Sequence, residues 1–105
     1  MQFGINKKDI SFIKESLNKY LKTDTTVWVF GSRARGDHQK FSDLDLMIES
    51  QEEQKSEIGK LNEIFESSNL TIKIDIVQLK NFAASYKDNY LKDRQLLINI
   101  QNTNY

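Results

Sequence analysis

Apolar residues return at three- and four-residue steps between Asp9 and Lys22, at Ile10, Ile13, Leu17, Tyr20 and Leu21. That spacing predicts an amphipathic helix with one buried stripe, its start capped by Asp9 or Ser11. The polar stretch Thr23 to Thr26 breaks the pattern. Val27 to Phe30 is a short β-branched and aromatic run, typical of a buried strand. Gly31 ends it, and Ser32 to Gly36 suits a single helical turn. Asp37 to Phe41 is a polar loop. From Asp43 to Glu49 the chain alternates, with Leu44, Leu46 and Ile48 on one face and Asp43, Asp45 and Met47 on the other.

A second helical pattern follows, with Ile58, Leu61, Ile64 and Phe65 on one side, an end near Ser67 to Asn69, and Ser50 as its expected cap. Glu52 and Glu53 then fall in its first turn, where the helix dipole favours acids. Leu70 to Leu79 alternates again, with Ile72, Ile74 and Ile76 opposite Lys73, Asp75 and Val77. Asn81 to Leu91 predicts a helix with Phe82, Tyr86 and Tyr90 spaced by four, which suits packing more often than a site. Leu96 to Ile100 fits either a helix end or an edge strand, and Gln101 to Tyr105 a frayed tail. The order αβ(turn)βαβα implies an α/β (α+β) fold, a small mixed sheet backed by helices, in one domain over residues 1–105.

Composition narrows the classes. The chain has 105 residues, 38% hydrophobic and 29% charged, a balance that supports a packed core. Fifteen basic and 15 acidic side chains leave a formal net charge of zero, so the basic footprint of a nucleic-acid binder is missing and no direct nucleic-acid partner is expected. Cysteine is absent, which removes disulfides and thiolate metal sites. No apolar run approaches the roughly 18 residues of a membrane span, and Met1 to Lys8 lacks the apolar core of a secretory signal. A soluble, cytoplasmic protein with no membrane partner is the expectation.

Three carboxylates on one face of a sheet need a cause. Asp43 and Asp45 stand two residues apart on a strand, pointing the same way, and both are poor strand formers. Unpaired, they repel each other; a hard divalent cation such as Mg²⁺ removes that cost. Asp75, on another strand with the same facing, can join them. Three carboxylates from two strands can hold two metals roughly 3.5 to 4 Å apart, the arrangement of in-line phosphoryl or nucleotidyl displacement. Gly31 lets a backbone N–H approach a phosphate, and the Ser32 hydroxyl can donate to one. Arg33 and Arg35 can neutralise charge developing on pyrophosphate.

Chance weighs these signals. With eight aspartates in 105 residues, an Asp-x-Asp is expected roughly 0.6 times, and a Gly-Ser roughly 0.3 times; both together at a permitted separation fall below about 0.01. His38, the only histidine, sits in a polar loop and is expected to face solvent. Trp28 is expected in or near the core.

Gly31-Ser32-Arg33-Ala34-Arg35-Gly36-Asp37 followed by Ser42-Asp43-Leu44-Asp45-Leu46 resembles the signature of the DNA polymerase β-type nucleotidyltransferases, and in particular their minimal branch (MNT). There, Gly-Ser, ten residues and Asp-x-Asp follow in that order; here the ten are residues 33 to 42. Asp75 matches the third family carboxylate in position and facing. The resemblance spans roughly Asp9 to Ile100. It implies a polymerase β-like core, ATP as donor and two Mg²⁺ ions. Gly31 and Ser32 would hold the triphosphate, Asp43 and Asp45 both metals, and Asp75 the catalytic metal and the attacking hydroxyl. Larger members add an acceptor domain; this chain has no room for one, so the resemblance implies an acceptor on a partner. Minimal members are typically antitoxins paired with an all-helical HEPN ribonuclease toxin, which they silence by moving AMP from ATP to a toxin tyrosine. Two alternatives stay open: a non-catalytic antitoxin that neutralises by binding, and a nucleotidyltransferase for a small molecule such as an aminoglycoside.

Overall fold

The computed structural model describes residues 1–101. Four strands form a mixed sheet in the order β3-β2-β1-β4. They are β1 (Thr25–Phe30), β2 (Leu44–Glu49), β3 (Ile74–Gln78) and β4 (Gln95–Ile100). Four helices accompany them: α1 (Lys7–Tyr20), α2 (Ser32–Arg35), α3 (Lys55–Glu66) and α4 (Lys87–Asp93). β1 pairs antiparallel with β2 and with β4, while β2 and β3 run parallel across the α3 crossover.

The alternation in β2 decides which face is core. Leu44 and Leu46 have no solvent exposure and Ile48 has 1%, and α1 and α3 supply Ile10, Ile13, Leu17, Leu61 and Phe65 to the same cluster. Phe12 and Phe65 meet edge-to-face at 6.0 Å between the two helices. The odd-numbered face of β2 presents Asp45 but also Met47, which is fully buried. Part of that face is therefore covered.

Several element ends differ from the sequence expectation. α1 starts two residues earlier, because the Asn6 side chain accepts the Asp9 N–H at 2.8 Å; neither Asp9 nor Ser11 is the cap. Ser50 does not cap α3, and Glu52 and Glu53 precede the helix instead of opening it. The cause is Gln54, which is fully buried. Its amide donates to Thr25 Oγ1 and to Ser50 Oγ, each at 2.8 Å, and its Oε1 accepts the Lys22 N–H at 2.8 Å. Its own N–H donates to Gln78 Oε1 at 3.1 Å. The helix begins only after Gln54, once those bonds are made.

β3 is shorter than Leu70 to Leu79, with Ile72 packing against the core ahead of it. The predicted Asn81–Leu91 helix is split: Phe82 and Ala83 are extended, two 3₁₀ turns flank them, and only Lys87–Asp93 is α-helical. Phe82, Tyr86 and Tyr90 nonetheless pack together, with Phe82–Tyr86 at 6.0 Å and Phe82–Tyr90 at 5.9 Å, and Phe30 receives both Phe82 and Tyr90 edge-on. Leu96 to Ile100 belongs to edge strand β4. Trp28 is half-buried, with the Arg94 guanidinium stacked over its ring at 3.9 Å. Of the predicted tail, residues 102–105 lie outside the described residues.

Candidate active site

The site lies where β1 ends and β2 begins. These strands are antiparallel neighbours, with Phe30 opposite Asp45, so the Gly31 turn stands beside the first carboxylates of β2. β2 and β3 are parallel and in register, with Asp45 opposite Asp75. The sheet thus brings together residues that the sequence separates by thirty positions. Asp43 lies just before β2; Asp43 and Asp75 are exposed, while Asp45 between them is half-buried.

That placement perturbs Asp45. Its pKa is raised from 3.8 to about 6, chiefly by burial and then by repulsion from Asp75 and Asp43, with Arg35 opposing them. The three carboxylates and Arg35 therefore share one electrostatic neighbourhood. The donor set, all carboxylate oxygen and in excess over the nearby cation, suits a hard divalent ion. Among the described residues, however, no three acidic or histidine side chains already stand as a metal cluster.

Gly31 is required on two counts. Its φ of +76° lies in the region that favours glycine, and a Cβ there would collide with the Asp45 carboxylate. It precedes α2 without a side-chain cap, and its carbonyl accepts the Ala34 and Arg35 N–H groups at 3.1 Å each. Gly36, at φ +88°, closes the turn in the left-handed region. Ser32 is half-buried as the first residue of α2.

The two arginines separate. Arg35 is exposed and held at the rim by Asp37 at 3.0 Å and Asp93 at 3.4 Å, which raise its pKa. Arg33 is placed otherwise than a phosphate contact requires. It is 3% exposed, and its guanidinium donates to the carbonyls of Ser42 at 2.8 Å, Phe3 at 2.9 Å and Lys40 at 3.0 Å. Burial lowers its pKa, with Asp43 opposing. His38 is also not solvent-facing: it is half-buried against Gly4, and its Nδ1 is buried without a hydrogen-bond partner.

Two contributors escaped the sequence reading. Gln95 on β4 donates to the Ala34 carbonyl at 2.6 Å and ties α2 to the sheet. Asp93 orients Arg35 from the end of α4. Both reach the turn from about sixty residues away, and no local spacing marks them.

Comparison with known proteins agrees with this geometry. The profile of the family described as polymerase beta, nucleotidyltransferase matches residues 12–103. The chain belongs to that family. A curated relative, "Probable protein adenylyltransferase MntA" of Haemophilus influenzae, is 33% identical over 88 residues, covering 83% of this chain and 76% of the relative. Among solved structures, a toxin–antitoxin with AMP-PNP superposes with a TM-score of 0.70 at 18% identity, over 89% of this nucleotidyltransferase and 75% of that chain. A complex of the tri-AMPylated HEPN toxin of Shewanella oneidensis with its MNT antitoxin gives 0.66 at 14% identity, over 90% of this chain and 73% of that one. These two likenesses establish the fold. No helix of the described residues is long and apolar enough to cross a membrane.

Proposed function

We propose that this nucleotidyltransferase is the antitoxin of a HEPN/MNT pair and a protein adenylyltransferase, moving AMP from ATP to a tyrosine of its HEPN toxin. The observation that carries the reading is Asp45, half-buried against the Gly31 turn and in register with Asp75, in a chain related to MntA. A glycine turn for phosphates and carboxylates for cations on the same triphosphate meet at one end of one sheet.

Asp43, Asp45 and Asp75 would hold Mg²⁺, which when bound neutralises the triphosphate and favours the ionised acceptor hydroxyl. The chain's own groups do the rest. Gly31 and the first N–H groups of α2 approach the phosphates, and the Ser32 hydroxyl donates to a phosphate oxygen. Arg35, whose charge is felt at Asp45, offsets charge developing on the leaving pyrophosphate. Asp75, exposed on an edge strand, orients the incoming tyrosine and accepts its proton. The tyrosine oxygen bonds to the α-phosphorus and pyrophosphate leaves. A cytoplasmic location fits ATP as donor.

Incubation with α-labelled ATP, Mg²⁺ and the cognate toxin is expected to label the toxin and release pyrophosphate. Asp43→Asn and Asp45→Asn should each abolish labelling. Transfer that persists in the double variant refutes the mechanism, and neutralisation by that variant at equal dose favours the non-catalytic antitoxin.

A further inference from the structure

We infer that Arg33 is a positioning residue, which sets Asp43 by holding the carbonyls of the loop in front of it. The inference rests on the nucleotidyltransfer reading of the carboxylates. It assigns Arg33 a task other than contact with phosphate.

The loop from Asp37 to Ser42 has no regular structure, yet it delivers Asp43 to the start of β2. Its few internal bonds include the Ser42 N–H to the Gln39 carbonyl at 3.2 Å and the Gln39 N–H to Ser42 Oγ at 2.9 Å. Arg33 adds the missing restraint. Its Nε donates to the Ser42 carbonyl, one peptide unit before Asp43, and one Nη to the Lys40 carbonyl, with Gln39 further off at 3.5 Å. A planar guanidinium with donors in a fixed fork fixes the direction of several carbonyls at once. An ammonium cannot span that set.

The other Nη is anchored by the Phe3 carbonyl at 2.9 Å. That carbonyl is aimed by a tight N-terminal turn, in which Phe3 and Gly4 both have positive φ, +56° and +72°. The Gln2 and Ile5 backbones bond to each other across the turn at 2.8 and 3.2 Å. A non-glycine residue in the left-handed region costs on the order of 1 kcal/mol or more, so packing must enforce it. Gly4 lies so close to the His38 imidazole and the Arg33 guanidinium that a Cβ would collide with the imidazole. The N-terminal turn, Arg33, His38 and the loop form one packed unit behind Asp43. A buried charge held by carbonyl groups, with no carboxylate bonded to it, is costly to place, and the restraint on Asp43 gives it a purpose.

The test compares wild type with Arg33→Lys, which keeps the charge but not the fork. Hydrogen–deuterium exchange of residues 37–43 is expected to rise about tenfold. Mn²⁺ binding, followed by electron paramagnetic resonance with a non-hydrolysable ATP analogue, should weaken about tenfold, as for other residues that orient metal ligands. The KM for ATP at saturating Mn²⁺ should change less than about twofold, because no phosphate contact is lost. A raised KM with unchanged loop exchange overturns the inference and returns Arg33 to the phosphates. Should Arg33→Lys not fold, Ser42→Ala loosens the same loop with Arg33 in place. It should shift exchange and Mn²⁺ binding the same way, and faster exchange with unaltered Mn²⁺ binding overturns the inference. Both readouts need no turnover. Failure of the wild type to transfer AMP would therefore overturn the adenylyl-transfer reading, while loop exchange and Mn²⁺ binding still decide the role of Arg33.

Discussion

Asp45→Asn is expected to stabilise the metal-free protein while abolishing AMP transfer. The folded protein raises the Asp45 pKa from 3.8 to about 6, chiefly by burial and then by Asp75 and Asp43. A carboxyl whose folded value exceeds its unfolded one holds its proton more tightly in the folded state. Stability from this group is therefore fully present below pH 3.8, falls as pH rises towards 6 and stays low above it. At about 1.4 kcal/mol per pH unit the penalty at pH 8 is at most about 3 kcal/mol. Solvent reaches part of Asp45 and screens it, so about half of that, ~1.5 kcal/mol, is the working figure. Asparagine keeps the shape and drops the charge. For a chain of this length the gain corresponds to a Tm rise of roughly 5 to 10 °C. The assay is thermal unfolding of both proteins in EDTA at pH 8 and pH 5. The gain should appear at pH 8 and shrink to about half at pH 5. Addition of Mg²⁺ and ATP should then raise the Tm of the wild type alone. An Asp45→Asn protein no more stable than wild type at pH 8, or with a gain unchanged at pH 5, refutes the reasoning.

Three other substitutions probe the frame. Gly31→Ala forces a Cβ onto the Asp45 carboxylate at φ +76°; it should cost about 1 to 3 kcal/mol in thermal unfolding and eliminate label transfer to the toxin. Gln54→Ala removes the buried amide that joins Thr25, Ser50, Lys22 and Gln78. Urea denaturation should show a loss of about 2 to 4 kcal/mol, and the folded fraction should keep its kcat because the network sits at the other end of the strands. Gly4→Ala meets both a positive φ and the His38 ring; about 1 to 3 kcal/mol of destabilisation is expected, with faster amide exchange in the 37–42 loop.

The helical stripe of α1, the alternation of β2 and the Gly-Ser to Asp-x-Asp spacing are local patterns; the structure reproduces the stripe of α1, and the alternation of β2 except at Met47, which is buried. They sufficed to put Asp43 and Asp45 on one side of the chain, because side chains two apart on a strand must share a face; Asp75 joins them through the parallel register of β2 and β3. The same locality explains the misjudged ends. Ser50 has the chemistry of a cap, but the buried bonds of Gln54 reach Thr25, Lys22 and Gln78, and no local window contains those partners. Phe82, Tyr86 and Tyr90 carry helical spacing although the segment is broken; Phe30 on β1 gathers Phe82 and Tyr90, and Tyr86 joins through Phe82.

Arginine separates the two levels most sharply. Arg33 and Arg35 are alike by sequence, each in the short turn that follows Gly31. Their fates depend on what surrounds them: carbonyls of Phe3, Lys40 and Ser42 for one, Asp37 and Asp93 at an exposed rim for the other. The sequence by itself determined the chemistry available and the face on which the carboxylates stand. Only the tertiary structure decided their strand register, the raised pKa of Asp45 and which arginine is buried. Periodicity is a property of neighbours along the chain, whereas burial, field and hydrogen-bond partners are set by segments that meet only when the sheet closes.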